Sequence, residues 1–447
     1  SAAFATTRVP SKSPSTSMTV RIATQYRPRM PAALIDGLRA RGFLPPDYAG
    51  RGIASVPATA LAAIGMRDAD DPPLLADLDP ALLDGVRQVL VVLADGLGWG
   101  QLERLCAAGE TPFLASVVRR AERREQAQLL ECLTSFPSTT AAVVTTMNTA
   151  RTAQEHGNFA YFCWLEEFGR VTQMLRWGPA EQRRGSYFDD PHLDPRKYAQ
   201  VPSIHRRLRE RGARSYIIEP EVFRGQAMER MHGAEATFVG TIHPSVMGVR
   251  VKQLLDERPW GDRPAYVYAY WEGIDYVAHR LGPRGSEHAA EAAAFDLSLG
   301  RALAGRSPGD TLVLLTADHG HAAVEPRRFL DLHDDEDLRA MLRNPLAGEP
   351  RAAFLHTDRP AAVIAYLEQR YPGFFFPFLR DEGIAAGLFG TGDPALVRRR
   401  VGEVVALVDG DRGVSIVRIE GQPLRQRGSH GGMTPDEMRI PVLAWRA

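Results

Sequence analysis

Five short stretches carry side chains able to hold a metal ion or attack a phosphorus centre. Asp95 directly follows the apolar run QVLVVLA, and Asp318-His319-Gly320 closely follows TLVLLT. Asp275 and His279 stand at i and i+4, which places both on one side of a helix. His430 lies in GSHGGM, on a glycine-rich turn just before the strand-like RIPVLAW. Carboxylate and imidazole are suitable ligands for zinc. Neighbouring ligands such as Asp318 and His319 can share one ion where the backbone turns sharply, a freedom expected of Gly320. The fifth stretch, Pro137-Ser138-Thr139-Thr140, opens a small-residue helix whose first N–H groups and dipole favour an anion. A hydroxyl there could attack phosphorus while its neighbours cradle the oxygens.

Each stretch has a bland alternative. Gly96, Gly98 and Gly100 resemble part of a dinucleotide loop, although the third glycine comes one residue early. A Thr at a helix start is most often a simple cap, an Asp-x-x-x-His pair is usually a surface pair, and a loop histidine is usually solvated. Together, one metal-assisted site explains them better than coincidence does.

The elements that must position these residues read as an α/β protein with a doubly wound, mostly parallel sheet. Strands are expected at Gln88–Ala94, Gln128–Thr134, Arg214–Glu219, Ala265–Trp271, Thr311–Thr316 and Ile440–Trp445. Several are continuous apolar runs, as strands covered on both faces require. Helices are expected at Thr140–Thr149, Ser203–Arg211, Val246–Glu257 and Ser286–Leu303. In such sheets ligands gather beyond the carboxyl ends of the strands, where Asp95 and Asp318 stand. The organisation expected is a disordered leader over 1–20, a core of 21–327 and 429–447, and a smaller α+β cap inserted at 328–428.

These motifs, in this order from Asp95 to His430, resemble the alkaline phosphatase superfamily, and more closely its type I phosphodiesterase/nucleotide pyrophosphatase family. The resemblance implies an alkaline phosphatase-like fold and two divalent metal ions, zinc or else manganese. It assigns Asp275, His279 and His430 to one ion and Asp95, Asp318 and His319 to the other, which also contacts the nucleophile. For the nucleophile two registers compete. Alignment on Phe136-Pro137 would choose Ser135; alignment on the helix end, with Thr149-Ala150 in place of the family's Thr-Gly, chooses Thr140. The helix register is preferred, and it also sets His156-Gly157 at the family's spacing. Thr139 and Ser138 then become supporting donors, and Tyr161 stands where the family has a phosphoryl-contacting Asn. His321 either supports a ligand or is merely structural.

The implied activity is phosphodiester or pyrophosphate hydrolysis through a phospho-threonine, on a small phosphate-ester or nucleotide-like substrate. The alternatives are a phosphomonoesterase or cofactor-independent phosphomutase of the same superfamily, or a non-catalytic metal-binding scaffold. Tyr161, Phe162 and Trp164 could stack on a base or pack in a core. With Lys+Arg and Asp+Glu balanced at 54 each, there is no nucleic-acid-binding field. No apolar run reaches the roughly 20 residues of a membrane span. Cys106, Cys132 and Cys163 read as reduced, buried thiols. The opening residues lack the apolar core of a signal peptide, so a cytoplasmic location is expected.

Overall fold

The computed structural model describes residues 28–447, and the expected leader over 1–20 lies outside them. Seven strands form the central sheet: β1 (Gln88–Ala94), β2 (Ala127–Leu133), β3 (Arg214–Pro220), β4 (Thr237–Thr241), β5 (Ala265–Trp271), β6 (Thr311–Thr316) and β7 (Arg439–Arg446). Their order is β2-β7-β6-β1-β5-β3-β4. β7 runs antiparallel to both its neighbours and the other strands are parallel to one another, so the sheet is mostly parallel.

Every residue of β1 and β6 is buried. Each fully covered Val or Leu contributes about 1.5–3 kcal/mol relative to exposure, which fixes these two strands at the centre. They also pair in parallel, Leu93 opposite Thr316, while Ala94 pairs with Trp271 of β5. The chain therefore leaves β1, β5 and β6 at one edge, and Asp95, Asp275 and Asp318 all follow those exits. His430 reaches the same edge by a short antiparallel pairing in which Ala322 faces Ser429.

A second, wholly antiparallel sheet has the order Phe375–Leu379, Val404–Val408, Ala352–Leu355, Ala347–Glu349, Phe162–Leu165, Arg170–Gln173, Gly178–Pro179. Four of its strands come from the stretch expected to form the cap. The other three come from 162–179, so two distant stretches of chain build it. Its core joins Phe162, Phe354, Val405 and Phe378 to Leu34 and Leu38 of the early helix Pro31–Ala40.

Arg351, on the turn between two strands of this sheet, forms a fully buried ion pair, N to O 3.3 Å, with Glu437 of the short helix Pro435–Met438 before β7. Glu437 Oε1 also accepts from Gly432 N at 2.8 Å, so the pair ties the second sheet to the loop that carries His430. No described helix is long and apolar enough to cross a membrane.

Candidate active site

Asp95, Asp318 and His319 converge in the interior, at most 2% exposed. Asp318 Oδ1 accepts from Gly96 N and His319 N, each at 3.0 Å, which fixes the carboxylate. Gly96 has φ +75°, a conformation suited to glycine, and any Cβ there would lie 2.9 Å from the His321 ring. Gly320 differs from expectation: it is not among the glycines of positive φ. Its role is space, because a Cβ would sit 2.2 Å from the Asp436 carbonyl oxygen.

His319 Nδ1 contacts Gly320 O at 3.1 Å, which leaves Nε2 as the inward nitrogen. That nitrogen lies 3.3 Å from Asp318 Oδ2 and 3.6 Å from Asp95 Oδ1. Both carboxylate oxygens are buried without a hydrogen-bond partner. Burial, then the charges of Asp318 and Asp275, push the Asp95 carboxyl well above the usual range. Two orphaned acceptor oxygens and an imidazole nitrogen within reach of one point fit a divalent cation, which would relieve that repulsion.

The second cluster joins three segments. Asp275 and His279 stand on the helix Gly273–Leu281 directly after β5, His321 follows β6, and His430 lies on the late loop. His279 Nε2 is 3.3 Å from Asp275 Oδ1 and 3.1 Å from His430 Nε2. His279 Nδ1 contacts Gly428 O at 2.9 Å and His430 Nδ1 contacts Ser138 O at 2.8 Å, so both Nε2 lone pairs are free to face one ion. Asp275 is held well below the usual range, because His279 and His321 outweigh its burial. His321 Nε2 contacts Asp275 Oδ1 at 2.8 Å, and burial pushes its imidazole down to about 4, so a neutral His321 orients that carboxylate. The geometry also places His321 among four donors that could share the ion.

The two clusters are neighbours: the rings of His319 and His430 stack at 3.6 Å and 14°. A third acidic group, Asp68, Asp70 and Asp71, is tied up by Arg151, Arg207 and Arg211 and is structural.

Thr140 opens the buried helix Thr140–Thr149, and its Oγ1 lies 3.2 Å from His319 Nε2. The helix ends on Ala150 at φ +53°, the left-handed position where Gly usually stands, as the helix-end register requires. His156 contacts Thr146 Oγ1 at 3.1 Å within the same buried region. Thr139 is the N-cap residue, yet its side chain makes no capping bond and its hydroxyl lies near Glu349 instead. Ser138 holds the ligand loop: its Oγ donates to Gly432 O at 2.9 Å and accepts from Gly431 N at 3.0 Å. Ser135 is also buried, but it does not line the cavity that contains Thr140.

That cavity, of about 320 Å³, is walled by Asp95, Thr140, Asp275, His279 and His430 together with Tyr161 and Glu349. Tyr161 thus shares the cavity with Thr140, and its hydroxyl accepts from Gln173 Nε2. Phe162 also lines it and packs edge-on against Tyr161, whereas Trp164 lies against the second sheet's core.

Sequence reasoning missed Glu349. Pairing of Gly348 with Phe162 brings it to Tyr161, whose N–H donates to Glu349 Oε1 at 2.5 Å. Burial pushes the Glu349 carboxyl up to about 7, against the nearby Thr139 hydroxyl and Tyr161 N–H. A carboxylate in the loop-like GEPRAAF carried no local signal of this role.

The sequence profile of the type I phosphodiesterase/nucleotide pyrophosphatase family matches residues 89–433. Solved structures share the fold. Murine ectonucleotide pyrophosphatase/phosphodiesterase 5, an inactive form in complex with AMP, is 18% identical, with a TM-score of 0.58 over 80% of this chain and 87% of that one. Phosphonoacetate hydrolase from Sinorhizobium meliloti 1021, in complex with phosphonoacetate, is 16% identical, with a TM-score of 0.57 over 80% and 89%. No curated protein matches at the level of sequence. With the profile spanning most of the chain and all the clustered residues inside it, this protein belongs to the type I phosphodiesterase/nucleotide pyrophosphatase family of phosphoric ester hydrolases.

Proposed function

We propose that the protein hydrolyses phosphodiesters or phosphoric anhydrides of nucleotide type, with Thr140 as the covalent nucleophile. The observation that carries this reading is the placement of two donor clusters, joined by the His319–His430 stack, around one cavity that contains the Thr140 hydroxyl. Asp95, Asp318 and His319 would hold one divalent ion, and Asp275, His279 and His430 the other; zinc suits these donors and manganese is the alternative. When bound, such ions stabilise an alkoxide and a leaving oxygen at neutral pH.

The chain's own groups do the rest. Thr140 Oγ1 attacks phosphorus as the bond to the leaving oxygen breaks, and its proton passes to solvent. Water then displaces the phosphorylated Thr140 and restores the hydroxyl. N–H groups of the first helical turn would face the equatorial oxygens, within the field of the helix dipole. Thr139, at the helix N-cap, and Tyr161, which lines the cavity, would be supporting donors to those oxygens. Leu175, Phe223 and Tyr270 line the pocket beside Thr140 and would offer apolar and aromatic faces to a nucleobase. The AMP complex of the murine relative agrees with a nucleotide in this class of site.

The test is hydrolysis of bis(p-nitrophenyl) phosphate and of p-nitrophenyl phosphate, with and without chelator. Chelator-sensitive turnover with the diester preferred supports the reading. Turnover indifferent to chelator contradicts it.

A further inference from the structure

Beyond His279 lies a second, larger cavity of about 730 Å³ with cationic walls. Arg176, Arg183, Arg280, Arg425 and Arg427 line it, and no Asp or Glu does. Among the described residues only Arg183 of these five has an ion pair, to Glu420 at 3.2 Å. Arg176 donates through Nη2 to Pro179 O at 2.9 Å, but its Nε is buried without a partner. Arg280 stacks on Tyr276 at 5.2 Å. The chain as a whole carries no net charge, so this concentration is local. Like charges gathered around one concavity repel one another, and an anion with several oxygens relieves that repulsion. The guanidinium fork matches phosphate and carboxylate oxygens in pairs.

Its position gives this cavity a role. His279, Ile419, Leu424 and Gln426 wall both it and the cavity that contains Thr140, so the two adjoin. The junction lies at the Asp275/His279/His430 cluster, while Thr140 contacts His319 of the other cluster. In an in-line displacement the leaving group departs opposite the nucleophile, which is toward the arginines.

We propose that the arginine-lined cavity binds the leaving half of the substrate, and that this half is polyanionic, carrying at least two phosphate or carboxylate charges. The inference rests on the hydrolase reading above and narrows it. Attack by Thr140 Oγ1 forms one P–O bond and breaks another, and the departing oxygen stays with the polyanion in the cavity. A neutral or single-charge leaving group leaves the arginines unused.

The test uses Arg425→Gln/Arg427→Gln in the full chain, because both side chains are exposed on a loop and the substitutions leave the core intact. Binding of tripolyphosphate, and separately of citrate, to the metal-free protein is measured by calorimetry. The variant should weaken binding about tenfold or more, and rising salt should weaken wild-type binding steeply. Preference for tripolyphosphate over citrate identifies a phosphate chain; the reverse identifies carboxylates. In the metal-loaded enzyme, kcat/KM for a nucleoside triphosphate should fall about tenfold, and for bis(p-nitrophenyl) phosphate less than about twofold. Equal losses on both substrates, or polyanion binding that ignores the substitutions, overturns the inference while leaving the hydrolase reading intact. Failure of the wild type to hydrolyse either substrate overturns both the hydrolase reading and the leaving-group assignment.

Discussion

The two ligand clusters are built in opposite ways. Asp95, Asp318 and His319 come off two adjacent central strands, and their side chains are almost wholly enclosed, at 3%, 0% and 0% exposure. Asp275 and His279 stand on a helix with 17% and 22% of their side chains exposed, and His430 arrives on a loop held by Ser138 and Glu437. The first cluster inherits its geometry from the rigid sheet. The second depends on outer supports, two of which, Ser138 and Glu437, have no contact with the ion's expected position. The difference teaches that the buried cluster should hold metal tightly and activate Thr140, while the more accessible one should exchange metal and adapt to the leaving group.

The largest expected effect comes from the hydroxyl between them. Thr140→Ala should lower kcat by about a thousandfold or more with metal content unchanged, as elemental analysis and steady-state rates would show. An active variant contradicts the nucleophile assignment.

Next come the clusters themselves. Asp318→Asn should empty the buried site and His430→Ala the more accessible one, each losing about half of the bound metal. Under limiting chelator, the wild type should lose metal from the more accessible cluster first. Loss of both ions together in either variant would break the comparison.

A smaller effect is expected from Ser138→Ala, which removes two hydrogen bonds to the Gly431–Gly432 backbone. The metal concentration for half-maximal activity should rise about tenfold, with kcat recovered at saturation. A lowered kcat at saturation would mean that Ser138 touches the reacting atoms instead.

The smallest concerns Glu349 in the metal-free protein. Its ordinary value is 4.5 and burial pushes it up to about 7, so between these pH values the unfolded chain is ionised while the native one keeps its proton. Native stability is therefore lost as pH rises through that window. Glu349→Gln should flatten the slope, by of the order of 1–3 kcal/mol across it, in urea unfolding at a series of pH values. An unchanged slope would show that Glu349 is ionised in the native state.

Much of the core and the positions of both donor clusters were legible because central parallel strands are apolar on both faces and carry polar side chains directly at their ends. β5 and β6 fall on the expected residues, and the helix Thr140–Thr149 does too. The edge strand Thr237–Thr241 escaped notice because only its last residue is buried. The antiparallel sheet was hidden for a different reason. Its central pairing, Gly348 with Phe162, joins residues far apart in sequence, and no local periodicity records such a partner. Tyr161 could be placed by register alone, whereas Glu349 could not. The arginines of the second cavity are scattered between Arg176 and Arg427 in sequence, and their gathering around one concavity is visible only in three dimensions.

The central claim is that six side chains form two adjacent metal sites flanking the Thr140 hydroxyl. Anomalous diffraction from crystals of the metal-loaded protein tests it most directly. The account predicts two peaks, one among Asp95, Asp318 and His319 and one among Asp275, His279 and His430, with Thr140 Oγ1 beside the first. A single peak, or peaks away from these residues, would contradict it.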